Sequence, residues 1–162
     1  MKVINIHKRT LRQPVKEIAK IFNTLATEND KMLATNKWPP MKLDKGLQIG
    51  SKGGHGPIKY SVTEYEPEKS ITFKFDLPGF NGFHRFNLTE LASNETELLH
   101  IIDMTTTGSA TLKWALAIRW LHDAFIEDAF DKVENHFRND KINTPWSLWV
   151  SVLRKVMNRK RQ

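Results

Sequence analysis

The sequence predicts an α+β fold, in which a curved antiparallel sheet of about six or seven strands packs against one long helix near the C-terminus. Three observations carry this. From Ile58 to Thr107, apolar residues recur at every second position in runs separated by Gly, Pro, Asn and Ser, as in an antiparallel meander with one buried face. From Leu112 to Phe137 there is neither Gly nor Pro, and Trp114, Ile118, Leu121, Phe125, Ile126, Ala129, Phe130, Val133 and Phe137 share one helical face. Ahead of both, a β-branched segment is followed by a short amphipathic helix.

In chain order, KVINIHKRTL (2–11) reads as the first strand. Pro14 opens a helix, PVKEIAKIFNTLA, because proline is tolerated in a first turn and Val15, Ile18, Phe22 and Leu25 fall at helical spacing. A second short helix is expected around Glu28 to Ala34. Two prolines make NKWPPMKLD an extended connection, in which Trp38 and Met41 are placed to plug a neighbouring space. Gly46–Ser51 opens the strand region, and the cluster GSKGGHGP reads as a turn with His55 exposed. Then come Ile58–Thr63, Ile71–Leu77, His84–Thr89 and Leu98–Thr107, with turns at Glu66–Lys69, Pro78-Gly79, Asn81-Gly82 and Ser93-Asn94. Asp123, Glu127, Asp131 and Glu134 fall on the other side of the long helix and, like the pair Asp128/Lys132, read as surface charge. After Phe137 the polar stretch RNDKIN reads as a linker. Thr144 is then an N-cap and Pro145 the first residue of a final helix, whose apolar stripe holds Trp146, Trp149, Val150, Leu153, Val156 and Met157. The organisation expected is one domain over 1–140 and a basic amphipathic helix over 141–162.

The totals, 162 residues with 40% apolar and 27% charged, suit one globular domain with its own core. Cysteine is absent, which excludes disulfides and thiol catalysis. No apolar run has the length of a signal peptide or a membrane span, so the cytosol is the expected compartment. The net charge of +7 is concentrated in 141–162, which carries Lys141, Arg154, Lys155, Arg159, Lys160 and Arg161 and no acid. The body is nearly neutral, so nucleic acid is the weakest partner class.

The order of elements resembles the helix-grip fold of the START-like, birch-pollen-allergen-like superfamily (SRPBCC). The features that carry the likeness are RTLRQPVKEIAKIF, the W-P-P segment, the Gly-rich hairpin before YSVTEYEPEKSITFKF and the final long helix. Together they cover roughly residues 2–138; the basic tail departs from the common pattern. The resemblance implies a cavity between sheet and helix that takes hydrophobic small molecules. It implies no fixed activity, because the superfamily includes carriers, receptors and cyclases.

Candidate site residues follow from which faces point inward. His84 alternates with Phe86 and Leu88, His100 with Leu98, Ile102 and Met104, and His122 lies in the helix stripe. If all three face the cavity they are polar anchors for a ligand, an acid/base pair, or ligands of a metal; a hydrogen-bonded core histidine is the competing account of each. A slip of one residue would turn His100 outward. Trp38, Phe75, Phe86, Trp114, Ile118 and Phe125 are the apolar lining candidates, and Arg119 is placed to meet an anionic ligand at the mouth. In the tail, Trp146, Trp149, Leu153, Arg154 and Lys155 suit contact with an anionic membrane surface or a protein partner. The expected function is binding or transport of a lipid-, quinone- or polyketide-like molecule, without cofactor or metal. One alternative is a cyclase or dehydratase using the histidines as acid and base. Another is a module acting through the tail, placed at the inner membrane face or in a homodimer.

Overall fold

The computed structural model describes residues 1–159; the last three residues of the basic tail lie outside the described residues. Seven strands form one antiparallel sheet: β1 (Lys2–Leu11), β2 (Met41–Leu43), β3 (Lys52–His55), β4 (Ile58–Glu66), β5 (Ser70–Phe75), β6 (Phe80–Ala92) and β7 (Glu95–Thr106). Their spatial order is β1-β7-β6-β5-β4-β3-β2, so the first strand closes on the last and the rest is a meander. α1 (Val15–Phe22) follows β1. The long helical segment comprises α2 (Ser109–Lys113), a π-helical turn (Trp114–Ile118) and α3 (Arg119–Asn135), and α4 (Leu148–Arg159) ends the described chain.

The main core lies between the concave face of the sheet, α1 and α3. Ile18, Phe22, Phe73, Phe86, Leu98 and Phe130 there are at most 1% exposed. The period-two reading holds on the face of β4 to β7 that α1 and the long helical segment cover; on β5 it is blurred, because Thr72, which points the other way, is buried together with Ile71 and Phe73. On β7, Leu98, His100, Ile102 and Met104 are all buried, which sets the parity left open by the sequence.

Several local expectations change. Residues 28–34 form turns instead of a helix, because the Asp30 carboxylate takes the backbone N–H groups of Met32 and Leu33 at 2.8 Å and of Ala26 at 3.1 Å. Half of the Gly-rich cluster, Lys52–His55, is strand β3, and the expected turn is confined to its ends at Gly50 and Gly56-Pro57. A Cβ on Gly53 would lie 1.8 Å from the Lys42 carbonyl oxygen, so the glycines there serve close approach of backbones. Gly82 is likewise inside β6, where a Cβ would lie 2.2 Å from the Asp103 carbonyl oxygen. The last helix starts at Leu148 instead of Pro145, with the Ser147 hydroxyl accepting the Val150 N–H at 3.2 Å. Thr144 is held outside it: its N–H and hydroxyl donate to Asp131 at 2.5 and 3.1 Å.

Candidate ligand cavity

A cavity of about 570 Å³ lies between sheet and long helix, within the range of small-molecule sites. The sheet supplies Phe75, His84, Phe86, His100, Ile102 and Met104; the helix supplies Trp114, Ile118, Leu121, His122 and Phe125. Trp38, Met41, His55 and Ile58 close one side, and Arg154 and Met157 of α4 another. Arg119 lies outside this lining. Its guanidinium sits 5.6 Å over the Trp120 ring and 3.9 Å from Asp123.

The three sequence-derived histidines converge because register fixes them. Phe86 pairs with His100, which makes His84 the diagonal neighbour of His100 on the same face. His84 Nδ1 and His100 Nε2 are 3.3 Å apart, and the His122 ring centroid lies 5.0 Å from that of His100. His84 stacks on Phe73 at 4.7 Å. Burial, and then the neighbouring histidines, push the pKa values of His84 and His100 well below the ordinary histidine value. Burial also lowers His122, against the opposing attraction of the Asp123 carboxylate, whose Oδ1 lies 3.7 Å from His122 Nδ1 and outside hydrogen-bond distance. At neutral pH the His84–His100 pair is therefore uncharged. Among the described residues His84 Nε2 and His100 Nδ1 are buried without a hydrogen-bond partner. Whichever imidazole donates to the other, one donor and one acceptor are left over.

His55, expected in an exposed loop, instead lines the cavity. It stacks on Phe125 at 4.9 Å and its Nδ1 meets the Tyr60 hydroxyl at 3.1 Å. Burial pushes its pKa down to about 4. The signal for its position was Gly53-Gly54, a pair that marks close backbone approach within a strand as readily as a turn.

The helix carboxylates are not surface charge. β1 turns Asn5, His7 and Arg9 toward α3 while Ile4 and Ile6 face outward, 60% and 55% exposed. Arg9 donates to Glu127 at 2.9 Å, Asp131 at 3.2 Å and Glu134 at 2.7 Å. His7 sits between Glu127 (Nδ1, 2.7 Å) and Asp123 (Nε2, 3.1 Å). Burial opposes its charge, but these two carboxylates outweigh it and raise its pKa. Lys132 donates to the carbonyls of Asp30 and Leu33, both at 2.6 Å, and so ties the 23–38 loop to α3.

Asp128 is 3% exposed and accepts the indole N–H groups of Trp38 and Trp146, both at 2.8 Å, and the Lys37 ammonium at 2.5 Å. Arg154 lies 4.3 Å over Trp38 and 5.4 Å over Trp146, and it donates to the Lys37 carbonyl. Trp146 and Arg154, read from sequence as membrane or partner contacts, thus pack on the chain's own domain. Trp149 is 45% exposed, with its N–H on the Leu116 carbonyl at 2.9 Å. Leu153 is half-buried and Lys155 exposed.

Comparison with solved structures places this architecture. Norcoclaurine synthase from Thalictrum flavum, solved with dopamine and hydroxybenzaldehyde, superposes with a TM-score of 0.63 at 10% identity, covering 86% of this chain and 90% of that one. CalU16 from Micromonospora echinospora gives 0.57 at 17% identity, covering 99% and 94%. A conserved protein of unknown function from Enterococcus faecalis gives 0.62 at 12% identity, covering 99% and 85%. No protein-family model and no curated protein matches the sequence. The chain has the helix-grip fold, an SRPBCC-type architecture of curved antiparallel sheet and long C-terminal helix. Among the described residues no helix is long and apolar enough to cross a membrane.

Proposed function

We propose that this protein binds a small hydrophobic molecule, lipid-, quinone- or polyketide-like, between sheet and long helix. The observation that carries the reading is the His84–His100 pair. It has one donor and one acceptor unsatisfied in an apolar cavity of about 570 Å³. An unsatisfied buried polar group costs about 1–3 kcal/mol. A ligand whose body fills the cavity and whose carbonyl or hydroxyl meets these nitrogens recovers that cost. Norcoclaurine synthase holding two ring compounds on the same fold is consistent with a ring-bearing guest. The test is native mass spectrometry of gently purified protein with extraction and identification of what is released. A stoichiometric apolar compound, lost in His84→Leu/His100→Leu, supports the reading. An empty protein that also fails to take up quinone or acyl probes refutes it.

The same pair supports a second reading, acid–base turnover of the bound molecule in the manner of a cyclase or dehydratase. The two neutral imidazoles together present one N–H donor and one acceptor nitrogen to a guest, so one can take a proton from the bound molecule while the other returns one. Single His84→Gln and His100→Gln variants that keep binding but lose turnover of the extracted compound separate catalysis from carriage.

An exposed apolar surface on the long helical segment that lines the cavity supports membrane delivery of the guest. Leu112, Leu116 and Trp120 of the long helical segment are 64%, 62% and 40% exposed, and Trp149 reaches Leu116 from the C-terminal segment. Leu148 is 88% exposed. Lys113, Arg119, Lys155 and no carboxylate lie in these stretches. Binding to anionic but not neutral liposomes, weakened in Leu148→Glu/Trp149→Glu, is the expected result; equal binding of the variant removes this delivery route.

A further inference from the structure

We propose that His7, His122 and Asp123 form a site for a divalent transition metal of the zinc type at the seam between β1 and the long helix. One ligand atom from each residue lies within 4.8 Å of the others. His7 Nε2 is 3.1 Å and His122 Nδ1 3.7 Å from the same carboxylate oxygen, Asp123 Oδ1. Ligands about 2.0–2.2 Å from a tetrahedral zinc stand roughly 3.3 Å apart; both histidine–carboxylate distances are near that, and turning the two imidazoles together across a gap of at most 4.8 Å brings all three onto one ion.

The surroundings have the form of a metal site's supporting groups. His7 places its other nitrogen, Nδ1, 2.7 Å from Glu127, and Arg9 fixes that carboxylate from 2.9 Å. A carboxylate on the far nitrogen of a histidine ligand sets the tautomer and raises ligand basicity. Asn5 donates to Asp123 Oδ1 at 2.9 Å and steadies it.

A salt bridge alone, with His7 as imidazolium between Asp123 and Glu127, accounts for part of this arrangement. It leaves His122 Nδ1 buried and without a hydrogen-bond partner. A metal uses that nitrogen. The side chains of His7, Asp123 and His122 are 12%, 31% and 12% exposed, so water can reach the remaining coordination position.

The site would clip β1 to the long helix independently of any guest. It would also fix His122 in one tautomer: with Nδ1 on the metal, the proton resides on Nε2 of a ring that lines the cavity.

The experiment titrates untagged, metal-stripped full chain with cobalt(II) and zinc(II), reading cobalt absorption, zinc competition and proton NMR of the cobalt form. One cobalt per chain, displaced by zinc, is expected, with two contact-shifted exchangeable imidazole N–H signals, from His7 and His122. Affinity should fall at least about a hundredfold in His7→Gln, His122→Gln and Asp123→Asn, about tenfold or more in Glu127→Gln, and not in His136→Gln on the exposed helix end. The NMR count uses the wild-type chain, so it decides the matter even if a variant fails to fold. Absence of stoichiometric binding, fewer than two histidine signals, or binding that survives His7→Gln and Asp123→Asn overturns the proposal.

Discussion

Replacing Asp128 with alanine tests whether the C-terminal segment is an integral part of the domain. The carboxylate gathers three donors from three parts of the chain: Lys37 and Trp38 in the connection after α1, and Trp146 before α4. Asp128→Ala leaves two indole N–H groups without their acceptor at about 1–3 kcal/mol each. The Lys37 side chain, 33% exposed, can turn to water at less cost. The expected loss is therefore about 3–5 kcal/mol, in the range seen when one partner of a buried charged pair is removed. Urea unfolding followed by tryptophan fluorescence measures it. Limited proteolysis across 139–147 should show the segment released before the body unfolds. Both indoles donate to the same oxygen, Oδ2, so Asp128→Asn with its amide oxygen in that place keeps both acceptor contacts, loses only the charge that meets Lys37, and should cost about 1–2 kcal/mol. A loss under about 1 kcal/mol in the alanine variant, with unchanged protease resistance, would refute the account. It would return residues 141–159 to the status of an appended unit.

Three further outcomes follow from the same geometry. Stability should fall as pH drops below about 6.5. His55, His84, His100 and His122 have depressed values when folded, so the unfolded chain takes up protons that the fold refuses, at about 1.4 kcal/mol per pH unit for each group. His7 runs the other way. Its raised value gives stability that is full below the unfolded value and lost as pH rises through the folded one, so it is already complete in the acid range; urea midpoints from pH 7.5 to 4.5 that do not move would contradict the burial of the four. Lys132→Met should cost about 1–2 kcal/mol by leaving the Asp30 and Leu33 carbonyls unpaired, with faster hydrogen exchange confined to 23–38 as the signature. Gly82→Ala should destabilise by more than about 2 kcal/mol, since its Cβ would strike β7 backbone at the Asp103 carbonyl; a neutral result in thermal melts would mean that the two strands part easily there.

The sequence by itself determined the layers. Alternation in β4 to β7 and the uninterrupted stripe from Trp114 to Val133 are local patterns, each repeated often enough to outlast an error at one position. It also placed His84 and His100 beside the right apolar neighbours, because parity along a strand can be read from the strand alone. What it could not decide is what meets what. β1 alternates as cleanly with Ile4 and Ile6 inward as with Asn5, His7 and Arg9 inward. Only packing against Asp123, Glu127, Asp131 and Glu134 selects the second, and until that partner is known the same acids read as solvent-facing. Asp128 looked exposed for the same reason: its three donors come from residues 37, 38 and 146, far from it in the chain. His55 was misplaced because a glycine pair has two uses, and the choice between turn and close strand approach rests on the backbone of residues 42 and 43. Periodicity records which face of an element is buried. The identity of the opposing element, which converts a charged stripe into a polar seam, is a long-range property fixed only when the chain closes β1 onto β7 and lays α3 across both.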